Sequence, residues 1–220
     1  MKETSETPLK TSRTKLRRKP ARGSHERAAV EAILDEALVC HVGLIDDGLP
    51  VVVPTLHARA GSALYLHGSA ASRALRESDG VEICLTATLI DGLVLARAAM
   101  HHSANYRSAM VFGRGELVSD EAEKMTALEA LVEKLIPGRW TDARQPTAKE
   151  LRATAVLRLP LEEASAKIRS GPPLDDEEDM ALPVWAGVVP TRTALGRPQP
   201  DPALAAAVQV PAYLDELLSG

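Results

Sequence analysis

An antiparallel β-barrel with helices kept to its periphery is the fold class this sequence predicts, and three observations predict it. Between Leu38 and Val118 apolar residues recur mainly at every second position, the period of strands. The runs are joined by turns too short for a crossover helix, Asp46-Asp47-Gly48, Ala60-Gly61-Ser62 and Asp91-Gly92, so the strands they join must be antiparallel. Helical spacing sustained over several turns occurs only before Leu38 and after Ser119.

Taken in order, residues 1–22 are polar, rich in Lys and Arg and without periodicity, and read as a flexible basic arm. From the N-cap candidate Ser24, the positions Ala29, Val30, Ile33, Leu34 and Ala37 give a first helix. Leu38 to Ile45 is a strand, Gly48 closes a hairpin, and Leu49 to Ala60 is a second strand. Pro50 and Pro54 each remove a ladder donor, so this strand belongs at an edge or breaks near Thr55. Ala63 to His67 is a third. Gly68 to Arg76 then reads as a strand end running into a helix capped by Ser69, with backbone N–H groups, the Ser72 hydroxyl and Arg73 forming an anion site. Val81 to Leu89 and Leu93 to Ala99 are read as two strands about the Asp91-Gly92 turn, and Ala109 to Val118 as another, with Gly113 and Gly115 marking a bulge or close approach. Ser119 or Asp120 opens a long helix that Pro137-Gly138 stops, and Thr147 to Glu150 is a capping box. Ala153 to Leu159 is a strand, Leu161 to Ile168 is expected to be helical, and Leu182 to Val189 is a last strand carrying Trp185. The proline-rich residues 191–220 form an extended tail, leaving 23–190 as the domain.

Composition excludes several classes. No run approaches ~18 consecutive apolar residues, and the basic N-terminus has no apolar signal core behind it, so no membrane span and a cytoplasmic location are expected. Cys40 and Cys84 match no metal or redox spacing, as in a reduced chain. The net charge is −4, although Lys10 to Arg22 holds seven basic residues and Asp175 to Asp179 is an unbroken acidic run. One short basic arm on an acidic chain does not make a nucleic-acid binder.

The densest chemistry lies between Met100 and Gly113, where His101, His102, Ser103, Asn105, Tyr106, Arg107 and Ser108 crowd together. A purely structural strand would not carry that load. Metal binding is not supported by the six histidines, because His101 and His102 are adjacent and His41, His57 and His67 lie on separate strands. No nucleophile elbow, Walker loop or dinucleotide fingerprint is present. A small barrel with a phosphate-suited helix start and a strand rich in donors suits a phosphorylated, polyfunctional ligand.

The segments Leu38 to Ile45, Val51 to Thr55, Leu64 to Arg73, Asp91 to Arg97 and His101 to Ser108 resemble the pyridoxamine 5′-phosphate oxidase-related, FMN-binding split-barrel family, in its flavin-nucleotide-binding, nitroimidazole-resistance-like branch. The resemblance spans about residues 20–190. It implies an antiparallel Greek-key split barrel and a homodimer with FMN at the interface. Carried over by position, it puts the FMN phosphate at Ser69, Ser72 and Arg73 and the ring edge at Pro54 and Thr55. Tyr106, Arg107 and Ser108 face the cofactor, Trp185 stacks near it, and no metal is implied. The true oxidases end in an Arg-containing signature, whereas this chain ends Leu-Leu-Ser-Gly, which argues against activity on vitamin B6 phosphates.

The resulting expectation is an FMN-dependent oxidoreductase passing electrons to a small nitroaromatic or quinone-like acceptor, with His101 or His102 as proton donor. The alternative is a flavin or haem carrier or sensor without turnover, in which His101 is an axial ligand.

Overall fold

The structure, a computed structural model, describes residues 9–205 and 207–218. Two antiparallel sheets share one core. The larger has the order β1 (Gly23–Ser24), β10 (Glu163–Arg169), β7 (Ser103–Arg114), β6 (Glu82–Leu95), β2 (Val39–Asp46) and β3 (Leu49–Leu56), and β11 (Gly187–Pro190) also pairs with β6. The smaller has the order β4 (Ala58–Ala60), β5 (Ala63–Ser69), β9 (Thr154–Pro160) and β8 (Glu116–Leu117). The chain passes from one sheet to the other at His57, between β3 and β4, and again at Gly115, between β7 and β8. This is the split barrel expected.

The prolines act as the sequence predicts. Pro50 and Pro54 lie opposite Ile45 and His41 on β3, an edge strand of the larger sheet, where a missing donor leaves no ladder acceptor unsatisfied on the free side. The β2–β3 turn takes positive φ at Asp47 (50°) and Gly48 (76°), the primed hairpin geometry that matches strand twist.

Few aromatic residues are available, so aliphatic side chains fill the core. Val30, Ile33 and Leu34 of α1 (Arg27–Glu36) meet Leu64, Leu66, Leu85, Val111, Leu157 and Leu159 from the sheets. Each such burial contributes about 1.5–3 kcal/mol. Ala87, Ala109 and Ala166 stand side by side across β6, β7 and β10, all fully buried, and α1 packs on those strands. Three small side chains in a row give the helix room to approach the sheet.

That lane explains the first correction. Leu161 to Ile168, expected as a helix, contains most of strand β10 instead. Ala164 and Ala166 face the core at every second position, paired with Val111 and Ala109, and burial of that face outweighs intrinsic helix preference. The second concerns Asp91-Gly92, which is not a turn. β6 runs unbroken from Glu82 to Leu95 with a register shift between Ile90 and Gly92, so Asp91 is a bulge. Gly92 is needed because β11 passes over it: a Cβ there would lie 2.8 Å from Val188 Cγ1 and 3.1 Å from the Val189 carbonyl.

Asp120 caps α3 (Glu121–Leu135) by accepting from Glu123 N at 2.8 Å, and Thr147 forms the expected capping box of α5 (Ala148–Ala153). Within the basic segment, residues 9–22 lie against the barrel. Leu9 is buried in the core, its carbonyl accepts from Ala164 N, and Arg13 pairs with Glu82 and Glu163. In the tail, the described residues 191–205 and 207–211 form no helix or strand, and α6 (Ala212–Leu218) follows, with Tyr213 donating to Asp142 at 2.8 Å.

Candidate functional site

The site grows from the point where β5 ends. His67 and Ser69 leave the strand, the chain turns, and α2 (Arg73–Glu77) begins behind Ser72. The cap is Ser72, not Ser69. Ser69 Oγ accepts from Ala71 N at 3.1 Å and its carbonyl from Ser72 N at 2.8 Å, while Ala70 N donates to Ala153 O at 2.9 Å. The N–H groups of Ala70, Ala71 and Ser72 are therefore already taken, two within the turn and one by α5. With five residues, α2 also has too little aligned backbone for a strong dipole. What remain for an anion are the first-turn N–H groups of Arg73, Ala74 and Leu75, which find no acceptor among the described residues, the Ser72 hydroxyl, which takes no bond from its helix, and the Arg73 guanidinium.

Arg73 is held from one side. Nη2 donates to Asp46 Oδ1 at 2.7 Å and to Asp47 Oδ2 at 2.8 Å, both from the β2–β3 turn. Nε and Nη1 make no hydrogen bond among the described residues. A guanidinium carries five N–H donors in a planar fork, so Arg73 is oriented yet keeps its other edge open. Arg107, in the dense stretch, differs. Nε and Nη2 bond Asp91, and Nη1 and Nη2 bond Glu36, leaving none of its three nitrogens free. Those hydrogen bonds, to Glu36 first, raise its pKa, and the same contact lowers that of Glu36.

Beneath the turn is a pocket of about 80 Å³ lined by Val53, Thr55, Leu66, His67, Ser72 and Leu75 among others. Thr55 points into it from β3, and exposed Pro54 stands on the opposite face of that strand. Binding pockets for drug-sized ligands measure roughly 300–1,000 Å³, so this one admits the edge of a large ligand only. The open edge of Arg73 and the uncommitted Ser72 hydroxyl fit a phosphate, and the apolar lining fits the flank of a ring.

The other expected site residues lie elsewhere. Strand alternation puts Tyr106 and Ser108 on the outer face of the larger sheet, across from Ile90 and Thr88, and Arg107 on the opposite face. His101 ends a short 3-10 turn, Ala99–His101, beyond β6. Its Nδ1 lies 3.8 Å from Asp175 and its Nε2 3.7 Å from Asp176. Asp175 is fixed by Arg97 Nη1 at 3.1 Å and Arg97 N at 2.9 Å. Burial pushes its carboxyl up, but these bonds together outweigh burial and hold it below its usual range. His102 is exposed, with Nδ1 3.1 Å from the Ala98 carbonyl. Trp185 precedes β11 rather than lying in a strand, is 66% exposed, and folds its indole over Gly187. The pocket residue Val42 pairs with Leu85, whereas His101 follows Leu95. Ten residues of strand separate those positions, about 33 Å of path. Within one chain the pocket group and the histidine group do not converge.

His67, Asp46 and Asp47 belong to the pocket region and were not among the residues expected from sequence. The acidic pair had no signal beyond its turn, whose partner Arg73 lies more than twenty residues away. A second buried group, away from the pocket, joins α1 to α3: Lys134 Nζ donates to Leu34 O at 2.7 Å and lies 3.1 Å from His57 Nε2. Burial brings His57 down to about 4, with Lys134 assisting, and brings Lys134 itself down to about 8. Cys40 is fully buried, and burial pushes its thiol up to about 12, away from the thiolate form.

The fold and the rim at Arg73 define a split barrel with a phosphate-suited edge. Residues 26–168 match the profile of the pyridoxamine 5′-phosphate oxidase family, and the chain belongs to that flavin-binding family. Among solved structures, it is similar to the flavocytochrome Anf3 of Azotobacter vinelandii: 45% identity over 94% of this chain and 97% of that one, TM-score 0.89. It is similar also to the FAD and haem binding protein of Mycobacterium smegmatis: 38% identity over 90% and 97% of the two chains, TM-score 0.85. A protein of Bacteroides thetaiotaomicron described as a candidate for 5-nitroimidazole antibiotic resistance matches at 25% identity over 66% and 86%, TM-score 0.55. Comparison with curated proteins gives no significant match. None of the described helices is long and apolar enough to cross a membrane.

Proposed function

We propose that this protein is a cytoplasmic redox protein that binds a flavin nucleotide, FMN or FAD, and also haem. The observation carrying this reading is the near full-length likeness to a flavocytochrome and to an FAD and haem binding protein, at 45% and 38% identity. The open edge of Arg73 supports it from the geometry. A bound flavin supplies hydride and single-electron transfer. In this reading Arg73 and Ser72 hold the phosphate, Ser69 shapes the turn that presents them, and β3 flanks the ring, with Thr55 on the pocket side and Pro54 on the far face of the strand. A pocket of about 80 Å³ cannot enclose such a ligand, so we assign the second wall to another copy of the chain. That homodimer would bring Tyr106 and Ser108 of the outer sheet face to the partner's cofactor.

For haem, His41, His67, His101 and His102 are the imidazoles available. His25 and His57 instead place Nε2 at 3.0 and 2.9 Å from the Thr14 and Leu34 carbonyls. His101 would have to part from Asp175 and Asp176 to serve as an axial ligand.

The test is purification with flavin and haem supplied. Flavin absorbance and a Soret band in the same protein are expected, with alanine at one or two of those four histidines abolishing the Soret band. Failure to retain any flavin would refute the reading. The likeness to the nitroimidazole-resistance candidate supports a second reading, an FMN-dependent reductase of nitroaromatic or quinone-like acceptors with His101 or His102 as proton donor. NAD(P)H-driven turnover of a nitro compound without haem would favour it.

A further inference from the structure

The hairpin turn that orients Arg73 carries more negative charge than orientation requires. Asp47 sits at φ 50°, a conformation Asn adopts as readily as Asp, and Asp46 is fixed by the hairpin register opposite Leu49. Amides would satisfy the turn and still accept from Arg73. Yet two carboxylates share one guanidinium nitrogen, at 2.7 and 2.8 Å.

We propose that Asp46 and Asp47 set which phosphate the site accepts, favouring the singly charged phosphodiester groups of FAD over the doubly charged terminal phosphate of FMN. This rests on the flavin-binding reading above. An anion on the free edge of Arg73 lies across one guanidinium from both carboxylates, so it meets one positive and two negative charges. Arg76, one turn along α2 and in no ion pair among the described residues, brings that local sum to zero at most. A phosphate monoester carries about −1.5 to −2 at pH 7, whereas each phosphorus of a diphosphate diester carries a single negative charge. Even with Arg76 counted, the extra charge of the monoester meets no net positive charge and has two carboxylates to oppose it.

The test uses full-length protein freed of nucleotide, titrated separately with FMN and with FAD and followed by flavin fluorescence. Wild type is expected to bind FAD the more tightly. Asp46→Asn combined with Asp47→Asn should tighten FMN binding by at least about threefold and change FAD binding less, narrowing the preference. Asp47→Asn alone should move the ratio in the same direction, and at a position 86% exposed it leaves the fold intact even where the double variant does not. The proposal is overturned if wild type binds FMN as tightly as FAD, or if the ratio is unchanged in variants whose thermal unfolding matches wild type. Wild type that binds neither flavin refutes the flavin reading itself, a separate result.

Discussion

Arg73 and Arg107 show how far a residue's role depends on which of its donors are already taken. Arg107 lies in the densest polar stretch and shares a fork with Glu36 and Asp91. Arg107→Gln should therefore lower stability by about 1–2 kcal/mol and leave flavin affinity unchanged, as urea unfolding and flavin titration would show. Arg73→Gln should do the reverse, weakening flavin binding by about 1.5–3 kcal/mol with little effect on unfolding. Equal flavin affinity in wild type and Arg73→Gln would remove Arg73 from the site. His57 gives a pH-dependent case. Its pKa falls from 6.5 in the unfolded reference to about 4 when folded, so between those values the unfolded chain holds the proton and the folded chain does not. Stability from the neutral imidazole is complete above pH 6.5 and is lost as pH falls towards 4. Relative to His57→Gln, wild type should lose about 2–3 kcal/mol across that window, and parallel pH profiles of urea unfolding would contradict the assignment. These distinctions were invisible in the sequence. It placed an arginine at each position but not the acidic partners contributed by α1, the β6 bulge and the β2–β3 turn.

Elements were legible where local chemistry and tertiary packing agree. The β2–β3 hairpin, the edge role of β3 and the two caps follow from Gly48, Pro50, Pro54, Asp120 and Thr147, whose effects act within a few residues. Strand β10 and the bulge in β6 were misread because their causes are distant. β10 is a strand because α1 covers Ala164 and Ala166, and Gly92 is a glycine because β11 crosses it. The two groups of site residues could each be found in sequence, but their separation along β6 could not, since it depends on that strand not turning back. Gly115, expected to mark a bulge or close approach, tests this level of organisation. A Cβ there would fall well inside contact distance of the Ser78 carbonyl, while Gly115 N donates to Val81 O at 2.9 Å and Gly115 O accepts from Gly80 N at 2.8 Å. Backbone on both sides cannot give way. Gly115→Ala should cost about 2 kcal/mol in thermal or urea unfolding, and a neutral effect would mean that the β7–β8 crossing is softer than its bonds indicate.

For the whole molecule, the outer face of the larger sheet and its hairpin edge pose a surface problem that a single chain leaves unsolved. Ile45, Leu49 and Val52 are 63%, 68% and 64% exposed, and Ile90 and Met110 are 50% and 41% exposed. Ile45 and Val52 lie on adjacent strands, with Ile90 and Met110 farther across the same sheet face. Apolar area of this kind on one sheet face is what the proposed homodimer would cover, and the pocket beside Arg73 is too small to hold a flavin alone. Both features are answered by the proposed homodimer, in which burying the face also completes the cofactor site. Ile45→Lys with Val52→Lys should then yield a monomer in sedimentation. Because both side chains are already exposed in the single chain, the substitutions cost the isolated fold less than about 1 kcal/mol. Flavin affinity should fall with dimerisation, and raising protein concentration should restore both together. A double variant that stays dimeric would place the interface elsewhere, and a monomer that binds flavin as tightly as wild type would mean that one chain suffices.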